Sequence, residues 1–189
     1  MPQYIYINGF PGVGKLTIAK ELESLIPDSK IYHNHLIIDP IAPLISRNSP
    51  DYVSIRTGLR RHILDIISTA EETKHTTWIF TDCRTADSVG AEAAGDYKTA
   101  SHQRGVPFIS VVLICDVEEN AQRMAGRVRG VETSTKLADL DVLRTIRKEM
   151  QLYTFGEPDE LQLDVTQLTA AEAARHILEH IAKVVGASS

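Results

Sequence analysis

The chain has 189 residues, 43% of them hydrophobic and 24% charged, with a net charge of −5 and a pI near 5.8. These proportions describe one ordinary globular domain with enough apolar residues for a full core. The acidic balance argues against a duplex nucleic-acid partner, because proteins that track a phosphate backbone carry a basic surplus, and no apolar run reaches the length of a membrane span.

"QYIYING" is a short β-rich apolar run ending in Asn-Gly, and a strand this early leaves no room for a signal peptide. A glycine-rich loop follows, then "KLTIAKELESLI" at helical spacing. "KIYHNH" is a shorter strand, and "LIIDPIAPLI" is a helix or irregular segment interrupted by Pro40 and Pro43. "SPDYVSIRTGLRRHILDIISTAEETK" reads as one long helix with Ile63, Leu64, Ile66 and Ile67 on its buried side. "TTWIFTD" is a third strand closed by Asp82, and "SVGAEAAGDYKTASHQRG" is a helix closed by Gly105. "PFISVVLICD" is the strongest strand, a continuous apolar run suited to a parallel strand buried on both faces. Asp116 opens the next helix, with Glu119 as its capping-box partner, and that helix runs through "NAQRMAGRVRG". "TSTKLADLDVLRTIRKEMQLY" is a loop leading into another helix, and "ELQLDVT" is a last strand. Thr169 and Glu172 cap a final helix striped by Ala174, Ile177, Leu178, Ile181 and Val185, and the tail "VVGASS" reads as frayed.

Strands alternating with helices predict an α/β fold in one domain over residues 1–189, with a central parallel sheet of about five strands and helices on both faces. Cys83 and Cys115 stand outside any C-x-x-C pair and read as reduced thiols of a cytoplasmic protein.

The loop carries the chemistry. Gly9 and Gly14-Lys15 stand at the spacing G-x-x-x-x-G-K, between a strand and a helix, which is the context this phosphate-binding motif requires. Glycines let successive backbone N–H groups point at phosphate oxygens, and the helix N-terminus adds its positive end. Gly9, Pro11, Gly12, Val13, Gly14, Lys15, Leu16 and Thr17 are therefore the candidate nucleotide contacts, with Lys15 reaching the β- and γ-phosphates. Leu16 stands where Ser or Thr usually touches Mg²⁺, and Thr17 points about 100° away on the helix. Magnesium keeps several waters and leans on substrate phosphates, so it is still expected.

"GFPGVGKLT" resembles the adenylate kinase loop, Gly-x-Pro-Gly-x-Gly-Lys-Gly-Thr, which also lacks the first hydroxyl. Over residues 3–185 the order of motifs is similar to that of the small P-loop kinases, the group of adenylate, shikimate and gluconate kinases and chloramphenicol phosphotransferase, with no close match to any one of them. The resemblance implies a three-layer P-loop NTPase fold with a mobile lid, ATP and Mg²⁺ as cofactors, and a site in several parts. Asp82 resembles a Walker B acid that orders water on Mg²⁺, with Thr17 as the second metal candidate. Arg123 and Arg127 share a helical face at the entry to a lid spanning about 127–138, where with Arg129 and the lesser candidate Lys136 they would close over the transferring phosphoryl group.

The acceptor region is about 33–62. "YHNH" aligns His35 with the acid that follows the second strand in these kinases. His33 and His35 alternate by two, so on a strand they face one side; both are acceptor contacts, and His35 or Asp39 is the base or orienting group. A His-x-His metal pair lacks a third ligand. Arg84 follows Asp82 in "DCRT", a shorter form of the Asp-x-x-Pro-Arg of adenylate kinases, and is a further acceptor contact. Arg56 and Arg60 share a face of the long helix, and Arg60 is taken as the clamp on an anionic acceptor.

The function implied is an ATP-dependent phosphotransferase acting on a hydroxyl or phosphate of a small molecule, by a monomer or homodimer without duplex nucleic acid or membrane as partner. The alternatives are a nucleotide-dependent switch without such an acceptor and a nucleotide-binding protein that no longer catalyses. The Asn-Lys-x-Asp of GTPases and the Ser-Gly-Gly of transporter ATPases are absent, and Asp82 is followed by Cys83 where an AAA-type motor needs Asp-Glu.

Overall fold

A computed structural model describes residues 1–127 and 140–187. The chain alternates as expected: β1 (Tyr4–Gly9), α1 (Lys15–Leu25), β2 (Ser29–His33), α2 (His35–Ile41), α3 (Tyr52–Thr69), β3 (Thr77–Asp82), α4 (Ser88–Arg104), β4 (Phe108–Ile114), α5 (Val117–Arg127), α6 (Leu140–Glu149), β5 (Leu161–Asp164) and α7 (Ala170–Ala187). The five strands pair in parallel in the order β2-β3-β1-β4-β5.

Side-chain alternation in β1 divides the molecule into layers. Tyr4 and Tyr6 point to one face, where they join Trp78, Phe80, Leu64 and Ile67, together with Ala94, Tyr97 and Ala100 of α4. Ile5 and Ile7 point to the other and join Ile18, Ala19 and Leu22 of α1 and Ala173, Ala174, Ile177 and Ile181 of α7. The sheet therefore has an aromatic face under α3 and α4 and an aliphatic face under α1 and α7. Helices on both faces of a parallel sheet give the three-layer P-loop architecture expected from sequence.

The path of the chain positions the site. After β1 it builds β2 and β3 on one side of β1, then crosses to build β4 and β5 on the other. Such a reversal leaves a crevice at the carboxyl end of the central strand, and β1 delivers the glycine-rich loop there.

Several sequence expectations change in detail. α2 begins at His35, so the chain turns at Asn34 and the two histidines do not alternate on one strand. Pro40 lies inside α2 near its C-terminal end, and Pro43 falls beyond it. On α3, Leu64 and Ile67 are buried and Ile63 is partly buried, but Ile66 is 46% exposed. Asp116 caps α5 by accepting from the N–H groups of Glu118 and Glu119, while the Glu119 side chain turns to Arg123 instead of closing a capping box. Thr169 and Glu172 do close theirs: the Glu172 carboxylate accepts from the Thr169 N–H at 2.9 Å, and Thr169 Oγ1 accepts from the Glu172 N–H at 3.2 Å. α7 extends into the segment read as frayed, as far as Ala187. The expected lid, about 127–138, lies outside the described residues apart from the backbone of Arg127 at the end of α5. No helix among the described residues is long and apolar enough to cross a membrane.

One buried side chain joins the pieces around the crevice. Asn8 is fully enclosed near the end of β1. Its Oδ1 accepts from the N–H groups of Gly9 (2.9 Å) and Arg84 (2.8 Å). Its Nδ2 donates to the carbonyls of Arg84 and Tyr153, each at 3.0 Å. Asn8 thus ties the glycine-rich loop to the exit of β3 and to the strap between α6 and β5. The strap binds the same exit loop again: the Ala86 N–H donates to the Gln151 carbonyl and the Tyr153 N–H to the Arg84 carbonyl, both at 2.9 Å. Close packing holds it from a third side, since a Cβ at Gly90 would come within 2.0 Å of the Thr85 carbonyl oxygen. Replacing Asn8 with Ala removes four hydrogen bonds to backbone groups, of which only the Arg84 carbonyl keeps a described partner in the Tyr153 N–H, and should lower the unfolding free energy in urea by about 2–4 kcal/mol. Asn8→Asp should be comparably costly, because a carboxylate has no N–H for the two carbonyls. A loss below about 0.5 kcal/mol, the scale of an ordinary surface substitution, would show that the loops do not depend on this clamp.

Candidate functional site

The glycine-rich loop has the geometry of an anion cradle. Gly12 and Gly14 adopt φ of +84° and +111°, values that a side chain would strain, so the turn depends on glycine. A Cβ at Gly12 would also come within 2.9 Å of Asn120 Nδ2 and 3.1 Å of Met124 Cβ, both on α5. α1 starts directly at Lys15, bringing the unpaired N–H groups of its first turn to the loop. Lys15 Nζ folds back across the loop and donates to the carbonyls of Gly9 (2.7 Å) and Phe10 (2.8 Å). Leu16 is partly buried and Thr17 exposed on the first turn of α1.

Side chains from α5 and α6 hold the loop from outside. Asn120 Nδ2 donates to the Pro11 carbonyl at 2.9 Å. Arg147 donates to Asn120 Oδ1 (2.7 Å) and to the Cys115 carbonyl (2.6 Å), and lies over the Phe10 ring at 5.0 Å. Arg123 donates to Glu119 at 2.8 Å and to the carbonyls of Val13 (3.3 Å), Val165 (2.8 Å) and Thr166 (3.0 Å). Its guanidinium joins the loop to the β5–α7 connection. The side chain of Arg127 lies outside the described residues, as do Arg129 and Lys136.

Beside the cradle, β3 ends on Asp82, which stands in register with Asn8. The carboxylate is enclosed and both of its oxygens are engaged. Oδ1 accepts from the Cys83 N–H at 2.8 Å, with Arg56 Nη2 3.5 Å away. Oδ2 accepts from Arg84 Nε at 2.6 Å and from the Tyr97 hydroxyl at 3.1 Å. Burial pushes the Asp82 carboxyl up, but the guanidiniums of Arg84 and Arg56 outweigh it and hold the group below the usual carboxylate range. Burial likewise raises the Cys83 thiol, against the opposing pull of Lys15 nearby. Both cysteines are free thiols.

The second strand supplies the rest. His33 ends β2 and His35 begins α2, their ring centroids 6.3 Å apart. His35 Nδ1 lies 3.3 Å from Asp39 Oδ1, one helical turn on. Asn34, between the histidines, accepts from Arg56 Nη2 at 2.8 Å. Arg60, read as the clamp on an anionic acceptor, has an internal partner instead. It is buried and donates through Nε and Nη2 to Asp96 of α4, at 2.9 and 2.6 Å, while Arg61 bonds the other Asp96 oxygen. One turn of α3 separates a residue that stitches two helices from one, Arg56, that reaches the strand ends.

Sequence reasoning passed over Asn8, Tyr97, Asn120 and Arg147, and did not keep Arg56. Asn8 alone carried a signal, a polar residue closing an apolar strand. The residues present fit a nucleotide's phosphates: a glycine turn, a helix N-terminus and a lysine converge on one point. They do not fit Mg²⁺ as direct ligands. Four donors surround Asp82, and no group of three His, Cys, Asp or Glu that could hold a metal ion occurs among the described residues.

The profile of a family described as "AAA domain" (AAA_18) matches residues 5–138, from β1 through the segment after α5. No curated protein matches the sequence. Solved structures share the fold at low identity. A gluconokinase from Sinorhizobium meliloti 1021 superposes with a TM-score of 0.63 at 16% identity, over 97% of this chain and 93% of that one. An APS kinase from Mycobacterium tuberculosis, in complex with AMPPNP and APS, gives 0.61 at 13% identity, over 95% and 97%. A tunicamycin resistance protein from Deinococcus radiodurans gives 0.58 at 19% identity, over 96% of each chain. With its cradle, strand order and profile match in agreement, this chain belongs to the AAA_18 family of P-loop domains and has the fold of the small P-loop kinases, without a close member among them.

Proposed function

We propose that the protein is an ATP-dependent phosphotransferase that moves the γ-phosphoryl group to a hydroxyl or phosphate of a small-molecule acceptor. The observation that carries this reading is adjacency. A phosphate cradle with its lysine opens directly beside a second polar cluster, built at the ends of β2 and β3, with Asn8 before the cradle in register with Asp82 of the cluster. A switch protein needs only the first half of that arrangement. Structures that share the fold include a gluconokinase and an APS kinase, proteins whose names denote small-molecule phosphorylation.

Loop amides and Lys15 hold the donor's phosphates and place the γ-phosphorus toward the second cluster. Mg²⁺ would take no direct ligand from Asp82, whose oxygens are engaged by four donors, and would supply charge neutralisation on the nucleotide's phosphates. Arg123 keeps the loop in shape through the Val13 carbonyl, and Arg127 stands at the entry to the lid segment. Asp39 holds the His35 ring at 3.3 Å, which favours His35 as the group that orients the acceptor hydroxyl and takes its proton. The His33 ring, 6.3 Å from that of His35, supports its reading as a further acceptor contact. The free thiols Cys83 and Cys115 suit a reducing compartment.

The test is an ATP-consumption screen over a panel of metabolites. Turnover should depend on an acceptor and fall by about 10²–10³-fold in Lys15→Ala, the scale for removing one phosphate-directed charge. Consumption of ATP without any acceptor would favour the switch reading, and calorimetry that detects no nucleotide at millimolar concentration would end both. With a hydroxyl acceptor, His35→Gln should lower kcat by about 10²-fold or more, and Asp39→Asn by less, with the KM for ATP unchanged. Equal kcat in wild type and His35→Gln would remove the histidine from the chemistry.

A further inference from the structure

We propose that Asn120 and Arg147 are positioning residues for the donor nucleotide: together they set one peptide of the glycine-rich loop so that the Gly12 N–H faces a phosphate oxygen. This rests on the phosphotransferase reading and deepens it by assigning a role to two side chains outside the phosphate-binding motif.

The turn at the tip of the loop has one undetermined peptide. The Val13 N–H donates to the Phe10 carbonyl at 3.4 Å, closing a turn over Phe10–Val13. Pro11 stands second in it and Gly12 third, with φ of +84°. Proline followed by a positive-φ glycine is the pattern of a type II turn. Types I and II differ by a flip of the middle peptide, here Pro11–Gly12. The turn's own hydrogen bond joins Phe10 to Val13 and leaves that orientation to other groups.

Asn120 supplies the constraint. It is fully buried on α5, and its Nδ2 donates to the Pro11 carbonyl at 2.9 Å. The Pro11–Gly12 peptide is trans, so its N–H points opposite to its carbonyl. Holding the carbonyl against α5 therefore turns the Gly12 N–H away from α5, toward the inner side of the loop. Packing agrees with this division. A Cβ at Gly12 would come within 2.9 Å of the same Nδ2, so Asn120 lies directly on the peptide that it holds. An N–H fixed in this way needs no reorganisation when a polyanion arrives.

Arg147 decides which way round the amide stands. An amide has a donor end and an acceptor end, and reversing it would set two oxygens against each other at Pro11. Arg147 Nη1 donates to Asn120 Oδ1 at 2.7 Å. A guanidinium has only donors, so this contact admits one orientation and commits Nδ2 to the Pro11 carbonyl. Arg147 is itself placed by the Cys115 carbonyl at 2.6 Å and by the Phe10 ring at 5.0 Å. Phe10 is the first residue of the turn. The arginine thus touches one end of the turn directly and fixes its middle through Asn120, which links α6 to the loop's shape.

The experiment uses the full chain, ATP with Mg²⁺ as the probe, and the variants Asn120→Leu, Arg147→Met and the two combined. Calorimetry should show ATP binding weakened about 10- to 100-fold in Asn120→Leu, the scale of one hydrogen bond to a charged group. Arg147→Met should lose no more than that. Because the arginine acts through the amide, the double variant should match Asn120→Leu within about 2-fold instead of multiplying the two losses. A loosened fold would also weaken binding, so amide NMR stands beside the titration. On saturation with ATP the Gly12 amide proton of the wild type should shift downfield. That shift should be lost in Asn120→Leu and reduced in Arg147→Met, while the Gly14 amide still responds to the nucleotide. A Gly12 amide that ignores bound ATP in the wild type, or moves equally in Asn120→Leu, would overturn the assignment while leaving phosphotransfer intact. Losses that multiply in the double variant would remove Arg147 from the relay. A wild type that binds no ATP would instead end the phosphotransferase reading, and this inference with it.

Discussion

Two buried polar side chains stand next to each other, in register, near the ends of the two central strands, and the site is organised by the need to satisfy both. Asn8 on β1 and Asp82 on β3 are enclosed where neither can reach bulk water freely. An amide has donors and acceptors, so Asn8 gathers backbone groups and fixes three chain segments around the crevice. A carboxylate has only acceptors and carries charge, so Asp82 gathers cations and hydroxyls. One residue difference in chemistry at matched positions thus separates the frame of the site from its charged lining. Burial makes both sets of bonds strong, because a stranded partner would have no water to turn to.

Much of this fold was legible in the sequence because its signals were local and redundant. β1 alternates Tyr with Ile, and both residue types favour strands, so its period and propensity agree. The glycine loop announced itself by spacing, and its strand-loop-helix context was found as expected. Where the reading failed, the deciding information was not local. "YHNH" has the alternation of a strand, but β2 ends at His33, the limit of its pairing with β3, and the chain turns into α2. Ile66 fits a helical stripe, yet the buried face of α3 is set by α4 and the sheet edge rather than by the stripe's own width.

The arginines of α3 make the same point more sharply. Arg56 and Arg60 share a helical face, and nothing in the sequence ranks them. One turn advances the chain about 5.4 Å along the axis, and that displacement decides the outcome. Asp96 on α4 receives Arg60, whereas Arg56 falls level with Asn34 and Asp82. A periodicity argument fixes a residue's angle around a helix but not what lies opposite at its height. Only the packing of α3 against α4 supplies the second coordinate.

The two positions at which a P-loop protein ordinarily grips its metal both have other occupants here. Leu16 replaces the first hydroxyl with hydrocarbon, and it is partly buried. Asp82 gives its oxygens to Arg84, Tyr97, Arg56 and the Cys83 N–H. These departures are consistent with each other. Positive charge at the crevice is supplied by side chains anchored to the frame, Lys15 through the Gly9 and Phe10 carbonyls and the arginines through Asp82 and Asn34. Fixed charges of this kind cost no reorganisation when a polyanion arrives. A metal ion bound with a polyanion would take no direct ligand from either residue. The guanidiniums at the crevice are held by the fold itself, since the enclosed carboxylate of Asp82 binds Arg84 directly and lies within 3.5 Å of Arg56.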